Sequence, residues 1–465
     1  MEILRNTQGR VFVSVGLFDD FKYYGAMSVG PIEKTLPAIE PVLTMDAHGT
    51  VVKIAEIKDH DVNPSTASLT GYVPLRTKSS LENLIKKGGS DIQIHYGACT
   101  NPSDFNAFES ALVLRGVSLT NYSLSEPTTL TPNRATIQES ANIVVDESYR
   151  VFTPTLQKVF GETGITTLLG VAIADSSYCS IPYKNLDILI GTYNFSGYLR
   201  FAYSFDNGIN WNVFPELFEA HSGSVVTSTI KVVENKIYWT HVGTEAYISV
   251  VDVDTIINNS PAITTVLFAH GTYAAIRDIA ATKNYLWCVG GSGASFMVRI
   301  DLTDYTTEIL DDDINFAGVS ANAVDALNDN FVVTVGENDN FSLYKDGEFY
   351  LSTIGIDSMA FLSDVKVLNE QHWVVASDMG LYITKDGGIT WEKTYSVDNK
   401  CKLSFYDDLV GYAANSSGVY RTMNGGRTWY KIDSRLWSGV SKLVMDNKNP
   451  NNLFMLETFG VYSTI

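Results

Sequence analysis

Carboxylates are the side chains this sequence could most readily turn to chemistry. The 465 residues include 52 Asp and Glu against 33 Lys and Arg; residues 1–152 hold 17 acids and 13 bases, which leaves 35 acids and 20 bases for the remainder. Two carboxylates a few ångströms apart can hydrolyse a glycoside, one as the acid and the other as base or nucleophile. Among so many acids some pair will be close by chance, so abundance alone names no site. An anionic substrate would call for converging cations, yet Arg200, Arg277, Arg299, Arg421, Arg427 and Arg435 follow no common spacing. A metal centre has equally little basis. His48, His60, His95, His221, His241, His270 and His372 include no pair two or four residues apart, and Cys99, Cys179, Cys288 and Cys401 form no CxxC. These cysteines read as free, buried thiols of a chain made in a reducing compartment. Asp301, Asp304 and the acidic run 311–313 lack the glycine and terminal glutamate of a calcium loop. The glycine-rich stretch 289–295, VGGSGAS, lacks the Lys-Ser/Thr ending of a phosphate loop and follows an apolar strand, so it reads as a turn between strands. No catalytic, cofactor-binding or metal-binding residue is expected, and no enzymatic activity.

The elements that must position any site announce themselves through a repeat. Ser204-Phe205-Asp206-Asn207-Gly208-Ile209-Asn210-Trp211 recurs as Thr384-Lys385-Asp386-Gly387-Gly388-Ile389-Thr390-Trp391 and as Thr422-Met423-Asn424-Gly425-Gly426-Arg427-Thr428-Trp429. A weaker copy without the Trp surrounds Asp346 and Gly347. The pattern suits a hairpin turn: Asp or Asn accepts from nearby backbone N–H groups, Gly takes positive φ, and Trp opens the next strand facing inward. Residues 376–391 superpose on 414–429 at an offset of 38, and residues 454–463 begin a further copy. Apolar anchors at Ile188, Ile237, Leu286, Phe331, Trp373, Tyr412 and Leu453 lie 49, 49, 45, 42, 39 and 41 residues apart. That spacing fits four short antiparallel strands per repeat and seven radial repeats over residues 151–465.

The octapeptide resembles the Asp-box (BNR repeat) of sialidase-like and related β-propellers. The resemblance implies a peripheral, structural role for Asp206, Gly208, Trp211, Asp346, Gly347, Asp386, Gly388, Trp391, Asn424, Gly426 and Trp429, on hairpins joining the outer two strands of each blade, with the tryptophans packed between blades. Sialidase chemistry is not expected, because Ser180-Ile181-Pro182 stands where that family's Arg-Ile-Pro motif carries its arginine. The chain stops where the last copy needs an outer strand, and residues 151–160 (VFTPTLQKVF) could supply it and close the ring. The alternative is an open or six-bladed ring with 151–160 as a linker.

Residues 1–150 lack the repeat and read as a separate domain. Segments 51–57 and 91–96 alternate as half-buried strands, residues 80–87 (SLENLIKK), ended by Gly88-Gly89, read as a short helix, and 105–119 and 143–145 add strand or helix candidates. The loop 68–71, the helix ending in Gly88-Gly89, the strand 92–97, the turns at Asp104-Phe105-Asn106 and Tyr122-Ser123-Leu124, and Glu139-Ser140 together resemble tailed-bacteriophage virion proteins related to tail-tube subunits. The resemblance spans about 100 residues. It implies a β-sandwich whose sheets join those of neighbouring copies into a ring, commonly six-fold, at the tube, neck or baseplate of the tail, in a particle assembled from proteins made in the host cytoplasm. The propeller, absent from such subunits, would then face outward.

The expected function is a non-enzymatic virion structural protein that contacts copies of itself and other virion proteins. The alternative is a propeller that binds, or hydrolyses, a host-surface glycan or receptor. The formal charge of −19 opposes nucleic-acid phosphates and anionic membrane surfaces. No apolar run approaches 18 residues, and the amino terminus has no basic start followed by an apolar stretch, so neither membrane insertion nor a secretory leader is expected.

Overall fold

The computed structural model describes residues 9–15, 21–30, 32, 39–45, 51–58, 65–74, 90–97, 105, 108–125, 136–160, 165–174, 187–195, 198–214, 229–242, 245–258, 265–271, 275–291, 295–310, 316, 319–356, 359–457 and 460–464. Its contacts divide the chain into two units, Met1–Thr153 and Pro154–Ile465. Both are built from antiparallel strands, and among the described residues the helix is a single five-residue turn, Val253–Ile257. The expected helix at 80–87 lies outside the described residues.

In the first unit Ser90–Tyr96, Gly9–Val15, Lys22–Val29, Ser65–Pro74, Thr136–Val145 and Ser110–Ser125 pair in that order, and Ser110–Ser125 also pairs back onto Ser90–Tyr96. The geometry is therefore one sheet whose ends meet, rather than the two facing sheets of a sandwich. Inward positions alternate along each strand, as a closed sheet requires: Val11 and Val13, Leu69, Ile92 and Ile94, Leu112 and Leu114, Ile143 and Val145 form its core. The strand at 91–96, read as half-buried, is buried on both faces, because rings cover its outer side: His95 lies 4.9 Å from Phe105 and 4.5 Å from Phe108. A separate hairpin, Ile39–Met45 with Val51–Lys58, pairs with no further strand among the described residues.

Glu147–Phe152 lies against Ser110–Ser125 in the first unit. The stretch 151–160 is thus not one strand: Val151 and Phe152 end the first unit, and Leu156–Phe160 begins the second. There Leu156–Phe160 pairs with Gly460–Thr464, supplying the fourth strand of the sheet that contains Leu453–Glu457 and Val440–Met445. The pairing joins the two ends of the second unit non-covalently, and Leu156 is buried there.

Among the described residues the second unit contains seven four-stranded antiparallel sheets. Their innermost strands are Ile165–Ala174, Ile230–Val233, Ile276–Ala281, Ala321–Asn328, Leu362–Val367, Lys402–Phe405 and Val440–Met445. Each neighbours the next, and the last neighbours the first, so the order closes on itself in the radial arrangement of a β-propeller. Where their side chains are described, the second strands are nearly all buried, as in Phe331–Gly336 and Trp373–Ser377, because sheets cover both of their faces. Outer strands such as Glu348–Thr353 are mostly exposed.

Candidate functional site

Three octapeptides fold into hairpins of the same design, each joining the outer two strands of a sheet. The first hydroxyl organises the turn. Ser204 Oγ accepts from the N–H of Gly208 at 2.8 Å, Thr384 Oγ1 from Gly388 at 2.9 Å and Thr422 Oγ1 from Gly426 at 2.9 Å. The Asp or Asn then closes it: Asp206, Asp386 and Asn424 accept from the N–H of Asn210 (2.8 Å), Thr390 (2.8 Å) and Thr428 (3.0 Å). Gly208, Gly388 and Gly426 sit at φ of 88°, 90° and 82°, where a side chain would also strike Val159, Trp373 or Val374. The Trp rings enter seams between sheets: Trp211 packs with Leu189 and Phe454, Trp391 with Phe341 and Trp373, and Trp429 with Val374 and Tyr420. Asp346 and Gly347 differ. They form a two-residue turn between Lys345 and Glu348 with φ of 53° and 91°, both positive as a tight hairpin demands.

The candidate site lies elsewhere, at the axis of the second unit. The innermost strands enclose a cavity of about 500 Å³, lined by the acids Asp187, Glu234, Asp278, Asp325 and Asp364 and the lysines Lys231, Lys366 and Lys442, together with Ser404, Asn447 and apolar residues. Carboxylates on one innermost strand capture the backbone of the next. The N–H of Val324 donates to Asp278 (3.1 Å), that of Val367 to Asp325 (2.8 Å) and that of Leu403 to Asp364 (2.8 Å). Ser404 Oγ continues the series by accepting from Met445 N–H at 2.9 Å. Four successive seams are latched in this way.

Lysines balance the acids. Lys366 Nζ lies 3.0 Å from Asp325, Lys442 Nζ reaches Asp278 at 3.0 Å from a non-adjacent sheet, and Lys402 Nζ donates to the Ser363 carbonyl at 2.9 Å. Burial alone would raise the Asp278 carboxyl, but Lys442, Lys402 and the Val324 N–H outweigh it and hold it below the usual carboxylate range. Lys442 is the mirror case, where Asp278 and Asp364 overcome the cost of burial and raise its ammonium. Asp364 is held above its ordinary value, by burial first and by the neighbouring Asp278 charge against the opposing pull of Lys402. Lys231 lines the cavity with its side chain exposed, and the surrounding protein and Lys366 push its ammonium down.

None of these axial residues was singled out by sequence reasoning. They stand one or two to an innermost strand, so no local motif contains two sheets' worth of them. The available signal was a charge inside otherwise apolar innermost strands, as in IRDIAA, LSDVKV and VSKLVM. The arginines weighed for an anionic substrate are held in separate places. Arg277 donates to Ser320 and Glu337, Arg299 lies over the Tyr285 ring, Arg421 is buried beside Tyr412, and Arg435 binds Asp433 and the Leu156 carbonyl. Among the described residues no three His, Cys, Asp or Glu side chains converge as metal ligands. Cys288 and Cys401 are buried free thiols, whereas Cys99, Cys179, Ser180-Ile181-Pro182 and the run 311–313 lie outside the described residues.

The BNR/Asp-box repeat family matches residues 382–393, which include most of the second octapeptide hairpin. No curated protein matches the chain. YCF48 from Cyanidioschyzon merolae is similar in structure at 13% identity, over 67% of this chain and 98% of that one, with a TM-score of 0.46. The WD40 β-propeller domain of Doa1 is similar at 10% identity over 67% and 96%, with a TM-score of 0.48. The computationally designed Ika8 protein is similar at 11% identity over 66% and 98%, with a TM-score of 0.42.

Proposed function

We propose that the chain is a non-catalytic binding and assembly protein in which the first unit joins neighbouring subunits and a seven-bladed Asp-box propeller decorates the assembly or binds a partner. The observation that carries this reading is how the axial carboxylates are employed. Asp278, Asp325 and Asp364 each accept a backbone N–H from the next sheet, and Asp278 and Asp325 also hold a lysine. Acid–base catalysis needs a carboxyl that can reach substrate and exchange its proton; these hold the ring's shape. A rigid ring with a central cavity suits recognition.

The first unit supports the assembly half. A lone two-stranded hairpin is marginal in water, and the one at 39–58 pairs with nothing further among the described residues, so a neighbouring subunit is its natural support. Together with the likeness of residues 68–145 to tail-tube subunits, this favours a structural protein of a phage tail, ring-forming and contacting other virion proteins. A second reading, a propeller that binds a host-surface glycan or receptor, is favoured by the axial cavity. Light scattering on the purified full-length chain tests the assembly half: a discrete ring-sized oligomer supports it, and a monomer at every concentration contradicts it.

A further inference from the structure

We propose that the sheet edge formed by Glu348–Thr353 pairs with the same edge of a second copy of this chain, antiparallel and two-fold symmetric, with Tyr350 facing its own counterpart across the axis. This propeller-to-propeller contact is separate from the assembly attributed to the first unit.

A strand at the edge of a sheet carries unpaired backbone groups, and folds blunt such edges by keeping them short, bulged or charged. The other outer strands of the second unit follow that rule. Asn212–Val213 and Thr307–Ile309 are two and three residues long, and Leu156–Phe160, Thr265–Gly271, Glu392–Tyr395 and Tyr430–Asp433 each meet their neighbour with a break in register. Glu348–Thr353 is neither short nor bulged. Its six residues run in unbroken register with Asn340–Lys345, and EFYLST contains no lysine, arginine or proline. Among the described residues no strand covers its outer side, and Tyr350 and Leu351 are half exposed.

The backbone restricts how two copies can meet. A two-residue turn joins Lys345 to Glu348, so these two bond each other's backbone, as do alternate pairs along the hairpin. Ile354 N–H continues the series by donating to the Asp339 carbonyl at 3.1 Å. Glu348, Tyr350 and Ser352 thus spend their backbone groups inside the sheet, whereas Phe349, Leu351 and Thr353 present theirs at the edge. An antiparallel second copy can bond only at those three. One register then sets Phe349 opposite Leu351 of the other copy, twice, with Tyr350 opposite Tyr350 on the axis and Glu348 opposite Ser352. Apolar groups meet apolar groups on both faces, and no charge opposes a like charge. Of the neighbouring registers, one presses Glu348 against the buried Ile354, and the other leaves Leu351 against Gly347. The Tyr350 hydroxyl already donates to Glu348 at 2.9 Å, so covering its ring strands no polar group.

Cysteine cross-linking of the full-length chain tests the pairing. The thiols of Tyr350→Cys would stand opposite each other within disulfide reach, whereas those of Ser352→Cys, equally exposed, would be offset along the strands. Under mild oxidation Tyr350→Cys should form a covalent dimer about tenfold faster, or more, than Ser352→Cys or the parent. Adding Leu351→Pro, which removes an outward N–H and leaves the bonds to Asn340–Lys345 in place, should suppress that cross-linking with a melting temperature near the parent's. Equal rates for Tyr350→Cys and Ser352→Cys, a comparison that does not depend on the proline variant, would overturn the proposal. Ring formation is read separately: rings without cross-linking at position 350 lose only this inference, and a cross-linked dimer that forms no ring loses only the assembly half of the function.

Discussion

Asp206, Asp386 and Asn424 occupy one position of one hairpin design, and the third shows what the first two need. The carboxylate of Asp386 accepts from the Thr390 N–H and from the hydroxyls of Thr384 and Thr390. Asn424 accepts from the Thr428 N–H and the Thr422 hydroxyl and donates through its amide to Thr428 Oγ1 at 2.9 Å. Asp386→Asn should therefore fold with a stability change of no more than about 0.5 kcal/mol, whereas Asp386→Ala should lose about 1–2 kcal/mol through the missing acceptor; thermal melts at neutral pH distinguish them. The two also separate in acid. Slight burial would raise the Asp386 carboxyl, but bonds from Thr390 and Thr384 lower it on balance. A carboxylate depressed by folding contributes stability above its unfolded pKa, and that contribution is lost as pH falls through the folded value. The Asn variant should lack this part of the acid sensitivity. The turn geometry at these residues was legible because its chemistry is local, within eight residues. The two-residue turn at Asp346 shared composition with the boxes but lacked their length, so resemblance there misled about geometry. His372 shows what a local reading misses. Burial and the nearby Arg427 push its imidazole down to about 4, so it should stay neutral from pH 8 to 5 in an NMR titration. Because the unfolded state takes up the proton more readily, His372 should also withdraw stability as pH falls from about 6.5 towards 4.

At the scale of the strand, the latches explain how innermost strands that share no backbone ladder stay in register. Each latch replaces one sheet-to-sheet contact with a hydrogen bond to a side chain anchored on the neighbouring strand. Asp278 is the most consequential, since it holds both the Val324 N–H and the Lys442 ammonium. Asp278→Ala should cost about 3 kcal/mol, because it leaves an ammonium and a buried N–H without their acceptor. Adding Lys442→Met should recover part of that loss, and denaturant unfolding of the pair measures the coupling. Acid should weaken the same seam: the depressed Asp278 carboxyl stabilises the fold above its unfolded pKa and ceases to do so as pH falls through its lower folded value. Asp364 acts in the opposite direction, since its raised pKa makes its protonated form the better tolerated one. Strand existence was readable from apolar periodicity, but these charges were not readable as a cluster. They lie about 40 residues apart in sequence, and only closure of the ring brings Lys442 to Asp278.

At the scale of the molecule, the repeat spacing made the radial architecture legible, while the division at 150 missed the strand Glu147–Phe152, which extends the first unit's sheet by continuing past Asp146. The sandwich expected there became a single sheet with joined ends, because the 16-residue strand Ser110–Ser125 is long enough to pair with different partners along its length. Closure of the second unit depends on five residues at its start. Lys158→Pro removes a backbone donor from the strand that pairs with Gly460–Thr464 and should destabilise the ring as a whole. A drop of several degrees in melting temperature, with faster proteolysis near the carboxyl terminus, is the expected outcome. In the proposed function a binding propeller is carried on an assembling first unit. Electron microscopy with class averaging on the purified full-length chain tests it most directly. Rings or tubes with a separate propeller-sized density on each subunit are the predicted result, and a field of dispersed single molecules at all concentrations would contradict it.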